Sequence, residues 1–310
     1  MTPRPDLGWE FDPWIVVPLI ISAVLYVRGV FLLWRRAGIG RGVGRWQAVA
    51  FVGGWLILAS ALVSPLHELG EHLFVAHMVE HELLMVAAAP LFTISRPLGA
   101  WLQAIPRSWR MVLIRGVGSD ATRRDWRWLM RPMTATVLHG ATIWLWHIPA
   151  CLDATLTNEN LHRLQHVTFL GTALIFWWAL IRLPHRQYGA GAMHVFLTMV
   201  HTNILGALIT LAPHVMYPGQ TTDAPLFGLT PLDDQQLAGL VMWVPGGAIY
   251  LAAGLVFATL WLTSARQTRP SYPFSESYWR PSGLGVHASG EERAPNLSPS
   301  LASIRLKGDL

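Results

Sequence analysis

Cysteine and charged residues are both scarce in this sequence. The single cysteine, Cys151, excludes an internal disulfide and every CxxC metal or redox motif. Only 13% of the residues are charged while 52% are apolar, which is typical of a membrane protein rather than a soluble one. Any metal site must therefore be built from histidine, methionine and carboxylate side chains.

The N-terminal segment lacks the basic region of a cleavable signal peptide, because Arg4 is accompanied there by Asp6, Glu10 and Asp12. The net charge of +5 is small, and the basic residues fall in short loops between apolar runs. This distribution indicates membrane topology rather than nucleic-acid binding. We therefore predict a lipid bilayer, and no nucleic acid, as a partner of the chain.

Apolar runs recur along the chain at lengths that suit a bilayer. A helix needs about 20 residues to cross roughly 30 Å of hydrocarbon. The sequence predicts an all-α, polytopic membrane helical bundle with about seven transmembrane helices. The predicted spans cover residues 14–34, 46–63, 73–94, 133–151, 167–183, 193–213 and 237–263. A weaker stretch, residues 97–117, carries several arginines and is expected at the membrane interface.

Basic residues alternate between the two sides of this predicted bundle. Arginines follow the first, third, fifth and seventh spans, whereas the other loops contain almost none. The positive-inside rule then places the N-terminus outside and the C-terminus in the cytoplasm. Residues 1–263 form the predicted seven-span membrane domain. Residues 264–310 are rich in Ser, Pro and Gly, and we predict a disordered cytoplasmic tail.

Many of the thirteen histidines gather near the outer ends of the spans. His77 and His81 are one helical turn apart early in the third span, with Glu80 on the same helix face. His162 and His166 repeat that spacing just before the fifth span. A neutral imidazole is the commonest metal ligand, and two imidazoles one turn apart can bind one ion. Both pairs are therefore predicted to bind a metal or a haem.

Single histidines have a simpler interpretation. His139, His147 and His201, taken one at a time, can merely hydrogen-bond across helices, an interaction worth about 0.6 kcal/mol on average. His67 and His72 can be ordinary residues of the membrane interface. The methionines of the spans could offer soft sulfur to Cu(I), but at this spacing they more often fill the core of a bundle.

Two other uses of the histidine pairs stay open. Residues 77–81 match HxxEH, the inverted zinc-protease pattern, in which Glu80 would act as general base. That match is short, and its known setting is a soluble enzyme. Haem ligation by one histidine from the third span and one from the fifth is the second alternative, because axial ligands must face each other across a slot.

Several segments together resemble a known family. They are HMVEHELLM at 77–85, WHIP at 146–149, LHRLQHVTF at 161–169, MVHTNILGALI at 199–209 and DDQQLAGLVMWVPG at 233–246. On these segments the chain resembles the multi-span CtaG family of caa3-type cytochrome c oxidase assembly factors. That family is distinct from the single-span copper chaperone that sometimes shares the name. The last segment is the most specific, and the resemblance covers residues 46–263.

The resemblance implies an integral factor of the bacterial inner membrane that helps to build a haem–copper cytochrome c oxidase. It implies oxidase subunits as partners and no catalytic turnover of its own. It also implies a role at the copper step, because the copper centres of an oxidase are loaded from the outer side, where these histidines are predicted to lie. The alternatives are a metal-free assembly scaffold, a haem-binding membrane cytochrome and, last, an intramembrane zinc protease.

We accordingly predict a copper site near the outer surface. Its core ligands are His77, His81, His162 and His166. Further candidate ligands are His147, His201 and His214. Glu80 and Asp234 are predicted to lie behind the ligands and orient them.

Overall fold

The computed structural model describes residue 5, residues 7–117 and residues 120–267. These residues form α-helices joined by short loops, together with π-helical and 3₁₀ segments, and the described ranges contain no β-strand. The α-helices are α1 (Pro13–Ala37), α2 (Arg45–Val63), α3 (Pro65–His72), α4 (Phe74–Glu82), α5 (Ala89–Ser95), α6 (Pro97–Ala104), α7 (Arg107–Val117), α8 (Asp120–Leu129), α9 (Pro132–Trp146), α10 (Pro149–Thr157), α11 (Glu159–Ile181), α12 (Tyr188–Thr210), α13 (Pro231–Val241) and α14 (Gly247–Gln267). Helix α14 extends four residues beyond the predicted domain boundary at residue 263, and the rest of the predicted tail lies outside the described residues.

Within the described ranges, six helical segments are long and apolar enough to cross a membrane. They are Pro13–Ala37, Arg45–Val63, Phe74–Ser95, Glu159–Ile181, His185–Thr210 and Pro231–Ser264. The prediction of an all-α bundle of membrane-type helices is confirmed in this form.

The remaining predicted span, residues 133–151, is divided between two helices. Helix α9 has 15 residues and ends at Trp146, and α10 begins three residues later at Pro149. Fifteen residues rise about 22 Å, less than the roughly 30 Å of a hydrocarbon core. The count of seven spans, like the orientation of the termini, therefore stays a prediction.

Two of the spans contain a π-helical segment next to a proline. Leu83–Ala88 joins α4 to α5, whose first turn contains a proline, and Met242–Gly246 joins α13 to α14 and includes Pro245. Proline lacks an amide hydrogen and crowds the carbonyl one turn earlier, so regular α-helical hydrogen bonding is interrupted there. The indole of Trp177 donates a hydrogen bond of 2.9 Å to the carbonyl of Met85, which satisfies one acceptor of the first π segment.

Helices α12 and α13 cross at unusually short range because glycines lie at the crossing. A Cβ atom added to Gly239 would lie 2.7 Å from the carbonyl oxygen of Gly206 and 2.6 Å from the amide nitrogen of Thr210. Small residues are the usual means by which membrane helices approach each other closely. Helix α13 also packs against α4, so this crossing fixes the position of α13 beside the helix that carries His77 and His81.

Besides a smaller apolar core among α1, α2, α5 and α6, the described residues form a larger one among α4, α9, α11, α12 and α14. Phe74, Phe169 and Phe176 are fully buried in it. Met78 and Met85 belong to the same core, at 1% and 2% exposure. The methionines of the third span thus fill space, as the simpler interpretation of the sequence predicts.

Candidate metal centre

Three helices bring five imidazoles together at the end of the bundle where α3 packs against α4. The histidine cluster consists of His67 on α3, His77 and His81 on α4, and His162 and His166 on α11. Four of these five residues are buried, and His162 is half-buried. The four core ligands predicted from the sequence are therefore brought to one place, and His67 joins them.

The rings of the histidine cluster pack against one another. The ring centroids of His77 and His81 are 4.2 Å apart, and those of His162 and His166 are 4.6 Å apart. Between the two helices, the His81 and His166 centroids are 5.2 Å apart and the His77 and His162 centroids 5.5 Å. His67 completes the group, since its ring lies 5.6 Å from that of His162. One ion could be reached from all three helices.

Glu80 lies between the histidines of α3 and α11. It is fully buried, and its Oε1 is 2.8 Å from Nδ1 of His67 and 3.4 Å from Nε2 of His166. One ligand atom from each of these three residues lies within 4.8 Å of the others, a spacing that a single metal ion could bridge. Glu80 is therefore placed as a candidate ligand itself, and also as the group that orients two imidazoles.

Several ring nitrogens of the cluster have no hydrogen-bond partner among the described residues. They are Nε2 of His77, both nitrogens of His81, Nε2 of His162 and Nε2 of His166. Leaving a buried polar atom unpaired costs about 1–3 kcal/mol, so buried polar groups normally find partners. Four histidines with free buried nitrogens in mutual contact are the donor set that a transition-metal ion would satisfy. The residues present thus fit a bound ion.

A side chain of α13 caps the N-terminus of α4. The carboxylate of Asp234 on α13 accepts hydrogen bonds of 2.8 Å from the amide of Phe74 and 2.9 Å from the amide of Val75. These amides belong to the first turn of α4, where no intrahelical acceptor exists. Asp234 was predicted to orient a histidine directly. Its carboxylate caps the helix that carries His77 and His81, and a direct role in orienting a histidine stays a prediction.

The start of α11 is fixed by a local cap. The side chain of Asn158 accepts hydrogen bonds from the amides of Asn160 and Leu161, at 3.0 and 3.2 Å. Asparagine is among the best helix-capping residues because its oxygen satisfies these first amides. His162 follows in the next turn, so the cap sets the depth at which the histidines of α11 enter the bundle.

His147 lies next to the histidine cluster without belonging to it. Its ring and that of His81 contact the same residue, Phe169, at centroid distances of 6.2 and 4.6 Å. Nδ1 of His147 donates to the carbonyl of Ile143 at 2.7 Å, which leaves the lone pair on Nε2. That Nε2 is buried and has no partner among the described residues. His147 thus lies at the edge of the cluster with a free lone pair on Nε2, which a metal ligand requires.

The other two predicted ligands lie elsewhere. His201 on α12 faces α9, where its Nδ1 accepts a hydrogen bond of 3.4 Å from the indole of Trp144. His214 follows α12 and is exposed, and only its backbone carbonyl is used, by the side chain of Gln235. The structure does not bring either imidazole into the histidine cluster, so their metal ligation stays a prediction.

The family to which the chain belongs is shown by comparison with known sequences. Residues 24–264 match the family described as cytochrome c oxidase caa3 assembly factor, Caa3_CtaG. The chain belongs to this family. The matched range includes all five residues of the histidine cluster and the other predicted ligands.

Two curated relatives resemble this CtaG-family protein over most of its length. They are uncharacterized proteins of Mycobacterium bovis and Mycobacterium tuberculosis, each 26% identical over 283 residues. The alignment covers 84% of this chain but only 40% of either relative, so the chain spans less than half the length of these relatives. No solved structure matches the chain significantly.

Burial and nearby charges shift the pKa of His67 in opposite directions. His67 lies on α3, outside the candidate membrane spans. Burial alone would lower the pKa of His67, but the hydrogen bond to Glu80 and the charges of Glu80, Glu10 and Glu71 raise it to about 9. Burial and the charge of Glu10 also raise the pKa of Glu71. The end of the bundle at α3 is thus rich in carboxylates directed toward one imidazole.

An apolar cavity of about 600 Å³ adjoins the cluster on the α1 side. Its walls include Leu19, Leu62, Leu84 and Leu170, and His166 forms part of one wall. The cavity volume is in the range of small-molecule sites, but its lining is almost wholly apolar. A hydrated ion that entered this cavity would lose its water ligands and gain no polar contacts in return. The α3 end therefore offers an ion the more favourable route into the histidine cluster of this CtaG-family protein.

His67 is the residue of the histidine cluster that sequence reasoning did not choose as a ligand. The sequence places it in a loop, where an interface role is as reasonable as a ligand role. A local signal was present, since Ser64 and Pro65 form a helix start and the side chain of Ser64 accepts a hydrogen bond from the amide of Leu66. Gly70 lets α3 lie close to α4, because a Cβ there would be 3.2 Å from Glu80 Oε2 and 3.3 Å from the Cα of His77, but this contact is seen only in the structure.

Proposed function

We propose that this protein is an integral membrane assembly factor for a haem–copper cytochrome c oxidase and that it binds copper in the histidine cluster. The family supplies the oxidase and the assembly role, which implies association with oxidase subunits. One observation carries the copper assignment: buried imidazole nitrogens without a hydrogen-bond partner lie on adjacent rings of α4 and α11, with the His81 and His166 centroids 5.2 Å apart.

The donor set favours copper among the metals that an oxidase requires. Imidazole suits copper, zinc, iron and nickel, whereas magnesium and calcium prefer oxygen ligands. The cluster offers five imidazoles and the carboxylate of Glu80, and the chain has no second cysteine for a thiolate site. A haem–copper oxidase needs copper from its assembly factors, so copper is the ion that matches both the ligands and the family.

A metal-free scaffold is the main competitor, and His139 provides the comparison that argues against it. His139 is fully buried, and both of its nitrogens have partners, Thr172 at 3.2 Å and Tyr250 at 3.3 Å. That is how a histidine that only joins helices is satisfied. His77, His81 and His166 are also buried, but each has at least one ring nitrogen without a hydrogen-bond partner among the described residues, which supports a ligand role.

Haem and zinc-protease functions are less well supported. The rings of the cluster pack within 4.2–6.3 Å of one another, so a bare ion fits among them more readily than a planar macrocycle between two axial ligands. Glu80, which the HxxEH pattern would use as a general base, is instead engaged by His67 and His166. We infer that the protein holds and passes on copper and catalyses no reaction of its own.

The predicted orientation places the cluster at the outer surface of the bacterial inner membrane. Copper centres assembled from that side would then receive the ion without its crossing the bilayer. A transfer site should release its ion, and the unequal depths of the five imidazoles allow ligands to be exchanged one at a time.

The direct test measures metals by mass spectrometry in detergent-purified protein, with an absorption spectrum of the same sample. We expect about one copper per chain, with the ion lost in the double variant His77→Ala/His162→Ala, since imidazoles of both helices are needed. His214→Ala is the matched control, because His214 is exposed and is not part of the histidine cluster. A haem Soret band, stoichiometric zinc, or no copper uptake under reducing or oxidising conditions would each contradict the proposal.

A further inference from the structure

We propose that Glu10, His67 and Glu71 form an entrance site for a divalent transition-metal ion on its way into the histidine cluster. These three residues are called the entrance group. The inference rests on the proposed function, since it concerns how the ion reaches the buried imidazoles. It assigns a second, outer binding site to the same end of the bundle.

The geometry of the entrance group is that of a metal site. One ligand atom from each of Glu10, His67 and Glu71 lies within 4.8 Å of the other two. Nε2 of His67 is 3.4 Å from Oε2 of Glu10. That carboxylate oxygen is buried and has no hydrogen-bond partner among the described residues. His67, beside it, is only 5% exposed. A buried imidazole and a buried, unpartnered oxygen thus face the same small space.

Local structure holds the three side chains in place. His67 and Glu71 are one helical turn apart on α3 and therefore share a face. Glu10 comes from the segment before α1, and its amide donates a hydrogen bond of 3.1 Å to the carbonyl of Val63 at the end of α2. The entrance group therefore combines residues from two separate parts of the chain, and the backbone at each part is fixed by hydrogen bonds.

His67 belongs to both sites. Its Nε2 faces Glu10 at 3.4 Å, while its Nδ1 faces Glu80 at 2.8 Å, and Glu80 in turn lies 3.4 Å from Nε2 of His166. An ion in the entrance group is therefore one imidazole ring away from the interior carboxylate. Exposure falls along this line, since Glu71 is exposed, Glu10 half-buried, His67 buried and Glu80 fully buried.

The donor chemistry changes along the same line. Two carboxylates and one imidazole suit a hydrated divalent ion such as Cu²⁺, whose water ligands carboxylate oxygens can replace. The interior offers mainly imidazole, which is the softer donor. The nearby Arg163 does not offset the carboxylates of the entrance group, because it is paired with Asp12 at 3.0 Å and with Glu159. A cation is thus drawn to the entrance group and stripped of water in steps.

The experiment compares the rate and the end point of copper uptake in the full chain purified in detergent. Cu²⁺ is mixed rapidly with apo-protein, uptake is followed by tryptophan quenching, and bound copper is counted after desalting. For Glu10→Gln/Glu71→Gln we expect uptake to slow by about tenfold or more with unchanged final copper, since local carboxylates act on the on-rate. Glu68→Gln is the control, because Glu68 lies on α3 beside His72, at 3.8 Å, and outside the entrance group.

The outcomes separate this inference from the proposed function. Uptake by the double variant at the wild-type rate would overturn the entrance site while leaving the copper function in place. Loss of the final copper as well as the rate would also overturn it, because the carboxylates would then belong to the resident site. A wild-type protein that takes up no copper would overturn both. Glu71→Gln alone changes an exposed side chain, so it gives a folded second variant, for which we expect a smaller slowing of the same kind.

Discussion

Asp234 and Phe74 are 160 residues apart in the chain, and the carboxylate of the first accepts a 2.8 Å hydrogen bond from the amide of the second. The other carboxylate oxygen accepts from the amide of Val75. A helix N-terminus carries unpaired amides and a partial positive charge, so a buried carboxylate is a favourable cap. The depth and rotation of the helix that carries His77 and His81 thus depend on a residue of the last span.

Replacing Asp234 with Ala should weaken both folding and copper binding. Loss of a capping side chain costs about 0.5–2 kcal/mol. Because α4 would then shift or fray at the turn that precedes His77, we also expect copper affinity to fall by about tenfold. The measurements are the apparent melting temperature in detergent and a competition titration with a copper chelator.

Asp233→Ala is the control for that variant. Asp233 is exposed and forms a capping box with Thr230 at the start of its own helix, with a side-chain hydrogen bond of 2.6 Å. It should lower stability by a similar amount and leave copper affinity unchanged. Equal loss of affinity in the two variants would mean that Asp234 acts only through global stability.

Glu80→Gln should weaken copper binding without abolishing it. Glutamine keeps the shape of the side chain but removes the negative charge that faces His67 and His166. Changes to groups that orient metal ligands typically cost about 10–100-fold in affinity. We expect that loss in chelator competition, with about one copper per chain still bound at saturation. Glu82→Gln serves as control, since Glu82 points toward Gly246 on the last span, and an equal effect there would contradict a specific role for Glu80.

His147→Ala should reduce copper affinity less than His81→Ala does. Both rings contact Phe169, but the centroid of His147 is farther from it, at 6.2 Å against 4.6 Å for His81, and only Nε2 of His147 is free to accept an ion. Chelator competition on the two variants gives the comparison. The matched control is His139→Ala, because both nitrogens of His139 are already hydrogen-bonded within the bundle. That variant should lose thermal stability and keep its copper affinity, and the opposite pattern would assign the site to the middle of the bundle.

The parts of this molecule that sequence could predict are those encoded locally. Apolar length marks the long helices, and the spacing of His77 and His81 places both imidazoles on one face whatever the rest of the fold does. The same argument holds for His162 and His166. These pairs meet because two helices are neighbours, and the sequence indicated only that both carry histidines near the same end.

The parts that sequence could not predict depend on which helices touch. The sequence offers His201 and His147 alike as further candidate ligands, yet α12 directs His201 toward Trp144 on α9. His67 lies in a short helix whose position is set by packing against α4. The hydrophobic periodicity of the sequence does not indicate which helices pack together. Span 133–151 failed to form one long helix because the chain breaks at His147 and restarts at Pro149, where proline favours a helix start.

Gly239→Ala should be strongly destabilising, in contrast to Gly254→Ala in the same span. A Cβ on Gly239 would meet backbone atoms of Gly206 and Thr210 at 2.6–2.7 Å, which cannot move without separating α12 from α13. A Cβ on Gly254 meets only a side-chain atom of Val195, at 3.8 Å. Overpacking of this kind costs about 1–3 kcal/mol or more. We expect a lower apparent melting temperature and reduced copper content for Gly239→Ala alone, since α13 also carries the cap of α4.

The orientation of the chain can be tested with cysteines placed at the two ends of the bundle, in a Cys151→Ser background. Thr222 is exposed in the loop that follows α12, close to Asp223, which contacts His72 of α3 at 2.7 Å. Arg41 is exposed in the loop between α1 and α2, which the positive-inside rule places in the cytoplasm. A membrane-impermeant maleimide should label Thr222→Cys in intact cells, and Arg41→Cys only after the membrane is permeabilised. The reverse pattern would put the histidine cluster on the cytoplasmic side, and copper would then have to be supplied from within the cell.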